Sequence, residues 1–250
     1  MRILLVNLLF VTTQGALPHN ELWYGGDFDG RGFLESGKNT AIEDARVYDN
    51  FFVEGPGYDI QYLFGNFLVA GPLPTQLYYE FRRNMGPGDG GKLLHSGTVA
   101  ATNTATGRSG WGMTEWRVSG DMPEIELEQG HYWLTVAPVG NGTGNFYLST
   151  TSGANSIGFP IGDGNSFYDQ RSVSLRHSPL PGGYTEPNFD PTSEWLGIEK
   201  WDFSQGFGNN YWGARTRDAL GHALRAWFAC SPQAKMRLAR RSIPGRLSEA

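Results

Sequence analysis

Residues 76–99 read QLYYEFRRNMGPGDGGKLLHSGTV, in which two segments of alternating apolar and polar residues flank a glycine-rich turn. Alternation with a period of two places successive side chains on opposite faces of a β-strand. The intervening glycines, proline and aspartate are the residue types that form tight turns. The sequence therefore predicts a β-hairpin made of strands 76–82 and 92–99.

Similar alternation continues through most of the chain. Further strand-like segments lie at residues 46–53, 58–69, 113–118, 131–136, 145–150, 166–169 and 201–204. Gly65, within the second of these segments, predicts a bulge. Turn signals recur roughly every ten residues, which favours a sandwich over a parallel sheet with intervening helices. We expect an all-β fold, an antiparallel, jelly-roll-like β-sandwich over residues 19–208, followed by a short C-terminal helix.

Composition and charge narrow the class of protein. The 250 residues include 35 glycines and 14 prolines, and only 18% are charged, a mixture that suits short strands and turns better than long helices. The net charge is −5, and the acidic residues are concentrated before Asn209. An acidic body repels phosphate backbones, so we expect no nucleic-acid partner. Cys230 is the single cysteine, which excludes an intramolecular disulfide and a cysteine-based metal site.

The two ends differ from the body. Met1-Arg2, the apolar residues 3–11 and the small residues Gly15 and Ala16 predict a signal peptide over residues 1–18, with a buried first strand as the alternative. We therefore expect a secreted or extracytoplasmic protein with no transmembrane span in the mature chain. Residues 209–250 form a basic tail in which 214–229 carry helical spacing. This helix either docks loosely on the body or lies on a membrane surface.

Several short motifs occur in a fixed order along the body. They are residues 47–51 (VYDNF), 76–81, 90–97 (GGKLLHSG), 105–110 (ATGRSG), 130–134 (GHYWL) and 150–155 (TTSGAN). In this order they resemble the exported β-sandwich domains of bacterial proteins with PEP-CTERM sorting tails, over about Leu22 to Gly206. The resemblance implies an exported location and a sandwich fold, and it implies no activity. The sorting tail itself is not recognisable, so release rather than anchoring is expected.

Paired aspartates near the start of the body are the candidate metal ligands. Asp27 and Asp29 flank Phe28 before the turn residue Gly30, a spacing that can offer carboxylate oxygens to a structural Ca²⁺ ion. Asp163, Asn165 and Asp169 form a second group of oxygen-bearing side chains. An ordinary turn is the alternative at both places. We expect no other cofactor.

Aromatic residues are abundant enough to fill a core and still form an exposed surface, since they make up 14% of the chain. The candidates for stacking on the apolar faces of sugar rings are Trp111, Trp116, Trp133 and Tyr79, with Tyr78, Tyr132 and Tyr147 as further possibilities. Trp111, between Gly110 and Gly112, and Trp116 are the best exposed candidates. The alternative for each of them is burial in the core.

Carboxylates provide the main alternative chemistry. Glu124, Glu126 and Glu128 alternate and would share one strand face, while Glu80 and Glu115 lie beside aromatic residues. Some jelly-roll glycosidases use two carboxylates across a groove. No residue is assigned a catalytic role. The sequence favours a non-catalytic extracellular or cell-surface domain that binds polysaccharide or a surface glycan. A carboxylate-dependent carbohydrate-active enzyme and a structural matrix component remain open.

Overall fold

The structure, a computed structural model, describes residues 20–39, 43–140, 145–160, 163, 165–172, 189–192 and 202–209. These residues form fifteen strands. The first eight are Asn20–Tyr24 (β1), Phe28–Glu35 (β2), Gly37–Asn39 (β3), Glu43–Val53 (β4), Tyr58–Ala70 (β5), Gln76–Arg83 (β6), Lys92–Ala100 (β7) and Thr102–Gly110 (β8). The others are Met113–Leu127 (β9), Gly130–Gly140 (β10), Asn145–Thr151 (β11), Phe167–Ser172 (β12), Asp190–Pro191 (β13), Asp202–Phe203 (β14) and Gln205–Asn209 (β15).

The strands form two sheets. The eight-stranded sheet is centred on β5, which pairs with β9 on one side and with β15 and β11 on the other; β8, β1, β2 and β14 extend it. The seven-stranded sheet has the order β13-β12-β4-β3-β10-β6-β7, with an additional pairing between β4 and β10. All described pairings between these strands are antiparallel except β3 with β10. The expected all-β, antiparallel class is therefore confirmed, and a β-sandwich describes it.

The main core lies between the two sheets and is largely aromatic. Phe51 of β4 and Phe207 of β15 come from opposite sheets, and their ring centroids are 4.8 Å apart. Trp23 of β1 contacts both rings, at 5.3 Å and 5.8 Å. All three side chains are at most 1% exposed. Each buried aromatic removes a large apolar area from water, so this cluster supplies much of the driving force that holds the sheets together.

The sequence pattern located many of these strands correctly. The predicted hairpin is present, because β6 and β7 pair from Gln76↔Ala100 to Arg83↔Lys92. Strands β1, β2, β3, β8, β13 and β15 were not predicted, since they are short or lack sustained alternation. The bulge expected at Gly65 lies instead between Ile60 and Tyr62. Gly65 has a packing role, because a Cβ atom there would lie 2.6 Å from the Phe67 ring.

Both predicted terminal elements fall outside the described residues. These elements are the signal peptide at 1–18 and the C-terminal helix at 214–229. No helix in the part of the chain that the structure describes is long and apolar enough to cross a membrane.

Glu80 of β6 is the centre of a charged network on the outer side of the seven-stranded sheet. Its side chain is 3% exposed and is ion-paired with Arg46 and Arg82. The hydroxyls of Tyr48 and Tyr78 donate to the same carboxylate. Burial alone would raise the pKa of Glu80, but the Tyr78 hydrogen bond and the two guanidinium charges hold it below its usual value. The carboxylate is therefore charged and fully engaged.

Asp49 of β4 is buried without such compensation. Its Oδ2 accepts a 2.8 Å hydrogen bond from the backbone N–H of Phe203, which links the two sheets, and its Oδ1 accepts one from Asn50. Complete burial raises the pKa of Asp49 well above its usual value, and the nearby Asp202 carboxylate raises it further. Asp49 is consequently a buried acid that favours its neutral form.

Replacing Glu80 should test how much stability the network provides. Glu80→Gln leaves Arg82 without its carboxylate partner and leaves Arg46 with Asp44 alone, so we expect the free energy of unfolding to fall by about 3–5 kcal/mol. The exposed Glu128→Gln variant is the matched control and should change it by less than about 0.5 kcal/mol. Urea unfolding of both variants measures the difference, and equal stabilities would contradict the assignment.

The pH dependence of stability should reveal Asp49. Because its folded-state pKa exceeds the unfolded value of about 3.9, the folded state binds the extra proton, and unfolding free energy should fall as pH rises through the folded-state pKa. Asp202→Asn removes the repelling charge, so the decline in unfolding free energy should be smaller. It should also be complete at a lower pH than in the wild type. Urea titrations from pH 4 to 9 measure this. The exposed Asp121→Asn variant is the control, and identical profiles for Asp202→Asn and wild type would refute the coupling.

Candidate functional site

Trp111 lies in a two-residue turn between β8 and β9. Gly110 pairs with Met113, and the intervening Trp111 and Gly112 have φ angles of 50° and 78°. Hairpin turns with positive φ at both central positions favour asparagine and glycine, and a bulky residue there is strained. The side chain is nevertheless 56% exposed. The turn therefore presents an exposed indole on an unfavourable backbone, and strain of this kind is concentrated at functional sites.

Three neighbouring rings support this indole. We call Phe28, Phe33, Trp111 and Tyr147 the Trp111 patch. Phe33 of β2 meets Trp111 edge-on with centroids 4.8 Å apart, and Phe28 lies 6.0 Å from it. Tyr147 of β11 extends the patch, 4.8 Å from Phe33. The three supporting rings are half-buried. The patch therefore combines a fixed base with an exposed indole.

Polar groups border the Trp111 patch. Arg31, between Phe28 and Phe33 on β2, has a side chain that is 48% exposed and is ion-paired with Asp29. Asn145 donates through Nδ2 to the Tyr147 hydroxyl at 3.0 Å. These groups are fixed hydrogen-bonding partners beside an apolar surface.

A charged network connects the β8–β9 hairpin to the segment before β2. Arg108 of β8 donates through Nε to Glu115 at 2.6 Å and pairs through Nη1 with Asp27 at 2.9 Å. Thr106 also donates to Glu115, whose side chain is fully buried. This network connects the hairpin to the protein body near Phe28, so it helps to position the turn that carries Trp111.

The proposed calcium ligands are engaged by protein donors. Asp27 accepts hydrogen bonds from Tyr24 and Asn155 in addition to its pairing with Arg108. Partial burial raises its pKa, but these contacts outweigh burial and hold the pKa of Asp27 below its usual value. Asp29 accepts from Arg31 and from Thr150. Each carboxylate thus has an arginine as its cationic partner, which disfavours a calcium ion at this position.

Three other predicted aromatic candidates, Trp116, Tyr79 and Trp133, are partly or wholly buried. Trp116 is half-buried and packs against the main core. Tyr79 is 6% exposed and belongs to that core. Trp133 is 4% exposed and lies in a second core cluster on the outer side of the seven-stranded sheet, where its Nε1 donates to the carbonyl of Asn165. These three rings are therefore much less accessible than Trp111.

The candidate carboxylates fall into two groups. Glu80 and Glu115 are buried and paired with arginines. Glu124 and Glu126 are exposed, and their oxygens lie within 4.8 Å of each other and of an Asp59 oxygen. Crowded acids on an exposed strand surface are common without any ligand. In the second calcium candidate, Asp163 accepts hydrogen bonds from Asn50 and from the backbone N–H of Asn165, while Asp169 is buried on β12.

Sequence patterns missed a second exposed aromatic surface. Phe52 and Phe159 are 40% and 58% exposed, and they line a cavity together with His131. The available signal was the Phe51-Phe52 pair, because two adjacent strand residues face opposite sides and one of them must point out of the core.

Comparison of the chain with protein-family models, with curated protein sequences and with solved structures finds no significant match to any of them.

Proposed function

We propose that this protein is a non-catalytic, exported β-sandwich domain of jelly-roll-like topology that binds polysaccharide or a cell-surface glycan through the Trp111 patch. The observation that carries the proposal is the exposed indole of Trp111, presented at a positive φ angle and supported by Phe28 and Phe33. The apolar face of a pyranose ring packs on such a flat aromatic surface. The exported location rests on the predicted signal peptide and on the resemblance of the motifs.

Rigidity makes this surface suitable for binding. Phe28, Phe33 and Tyr147 lie on strands, and the Arg108 pairings with Glu115 and Asp27 connect the hairpin that carries Trp111 to the protein body. A preorganised surface loses little conformational entropy on binding, so more of the contact energy appears as affinity. Arg31 and Tyr147 supply polar groups beside the rings for sugar hydroxyls.

The carbohydrate-active enzyme is the second candidate, and the carboxylates argue against it. A glycosidase needs two carboxyl groups about 5–10 Å apart across a cleft, one of them with a raised pKa. Glu80 has a lowered pKa and two arginine partners, and Glu115 is paired with Arg108. The exposed Glu124 and Glu126 lie on a strand surface beside the half-buried Asp59. A structural matrix component would need no exposed aromatic site at all.

Replacing Trp111 should separate binding from structure. We expect the full chain to be retained on at least one of cellulose, chitin, xylan or a β-1,3-glucan without release of reducing ends. Truncating an aromatic anchor typically costs about 2 kcal/mol, so Trp111→Ala should weaken retention roughly 30-fold. Depletion isotherms on the retaining polymer measure this change.

The control is Leu93→Ala, which removes a 44% exposed apolar side chain from β7, a strand of the other sheet. It should bind like the wild type. Equal binding by Trp111→Ala and Leu93→Ala would contradict the proposed site, and release of reducing ends would favour the enzyme.

A further inference from the structure

A cavity of about 360 Å³ opens on the side of the seven-stranded sheet that faces away from the main core. Phe52 of β4 is directly opposite His131 of β10 in the strand register. The backbone N–H of Phe52 donates a hydrogen bond to the carbonyl of Phe159, which brings Phe159 to the cavity. Glu54 and Gln129 contribute polar side chains to the lining of the cavity. We call this cavity the Phe52 pocket. Its volume is in the range of small-molecule sites.

The aromatic wall of the pocket is the end of a stack of rings. Phe52 and His131 are nearly parallel, with centroids 4.2 Å apart and an interplanar angle of 13°. Trp133 lies 4.2 Å from His131 on the same strand face. Trp133 is buried, whereas Phe52 is 40% exposed and Phe159 is 58% exposed. The stack therefore leads from the interior to Phe52, and both Phe52 and Phe159 retain free apolar surface at the cavity.

Hydrogen bonding determines which ring nitrogen of His131 carries the proton. The amide Nδ2 of Asn50 lies 3.0 Å from His131 Nε2, and the same Nδ2 donates to Asp163 at 2.9 Å. Because an amide nitrogen only donates, Nε2 accepts and the ring proton is on Nδ1. Burial lowers the pKa of His131 and outweighs the opposite effect of Asp163, in agreement with a neutral ring. The wall therefore carries no positive charge at neutral pH.

The polar lining restricts the chemistry of a ligand. Glu54 is the acidic residue of the lining, and none of the described lining residues is lysine or arginine. An acidic side chain without a lysine or arginine beside it in the lining disfavours anionic ligands. A wholly apolar ligand would strip water from Glu54 and Gln129 without replacing their hydrogen bonds, which is costly. A ring with one apolar face and several hydroxyl groups satisfies both the aromatic wall and the polar groups.

We propose that the Phe52 pocket is a second carbohydrate site, which takes one neutral pyranose unit with its apolar face against the exposed phenyl rings and its hydroxyls toward Glu54 and Gln129. This site lies on the opposite sheet from the Trp111 patch. The choice of a sugar as its ligand rests on the proposed function, whereas the residues that line the pocket are not part of the Trp111 patch. Two sites on one chain would allow bivalent attachment to a polymer.

The test is a titration of the ¹⁵N-labelled full chain followed by backbone amide shifts. The neutral probes are methyl β-glucopyranoside, methyl β-galactopyranoside and N-acetylglucosamine; glucuronate and tetramethylammonium are the charged comparators. We expect at least one neutral sugar to give saturable shifts at Glu54, Gly130 and His131. Glucuronate should bind there at least about tenfold more weakly, and Glu54→Gln should reduce that preference.

The variant for the pocket is Phe159→Ala, which removes an exposed ring but keeps the backbone bond to Phe52. It should abolish the saturable shifts at the pocket and leave those at Gly110 and Gly112 unchanged. Leu73→Ala, which truncates a 38% exposed side chain elsewhere, is the control and should have no effect.

The outcomes for the two sites are distinguishable. No saturable shift at the pocket amides with any neutral sugar would overturn the pocket proposal, as would equal or tighter binding of glucuronate or tetramethylammonium. If the pocket amides stay unchanged while Gly110 and Gly112 respond, the pocket proposal fails and the proposed function stands. If only the pocket amides respond, the pocket is supported and the Trp111 patch is rejected.

Discussion

The contact between Phe51 and Phe207 joins the two sheets, and the orientation of the neighbouring side chains of β4 depends on it. Phe51 is fully buried against Trp23 and Phe207, and a shift of one residue in β4 would turn it outward at a large hydrophobic cost. With Phe51 fixed inward, strand alternation directs Asn50 and Phe52 outward. The same register aligns Asn50 with Trp133 and Phe52 with His131. The core packing of one residue thus sets the wall of a pocket on the opposite side of the strand.

Buried carboxyl groups occur in two different environments in this protein. On the outward faces, Glu80 and Glu115 are each paired with arginine, and the pairing of Glu80 with Arg46 connects β6 to β4. Asp49 lies between the sheets and has backbone donors and Asp202 as its neighbours. The pairing of Glu115 with Arg108 gives a fixed charged scaffold for the Trp111 hairpin. The burial of Asp49 makes the contact between the sheets sensitive to protonation of its carboxylate.

The fold class could be predicted from the sequence because alternation is a local property. β4, β6, β7 and β10 were found in this way, whereas the polar β8 was missed, since its pattern of threonine, glycine and asparagine is also typical of loops. Exposure of Trp111 was readable from its glycine neighbours. Its support by Phe28 and Phe33 was not, because those contacts join residues about 80 positions apart. Tyr79 faces the core because of pairing with β10, which alternation alone does not determine.

Strand β1 pairs antiparallel with β15, and Asn20 is directly opposite Asn209. The polypeptide therefore enters and leaves this part of the structure at adjacent points, within about 6 Å of each other at the Cα atoms. Tension applied through residues 20 and 209 would load the bonds of this ladder one after another, so the strands would peel apart at low force. A chain held at both ends would open along this seam first, while the sheets that carry the aromatic surfaces would bear little of the load.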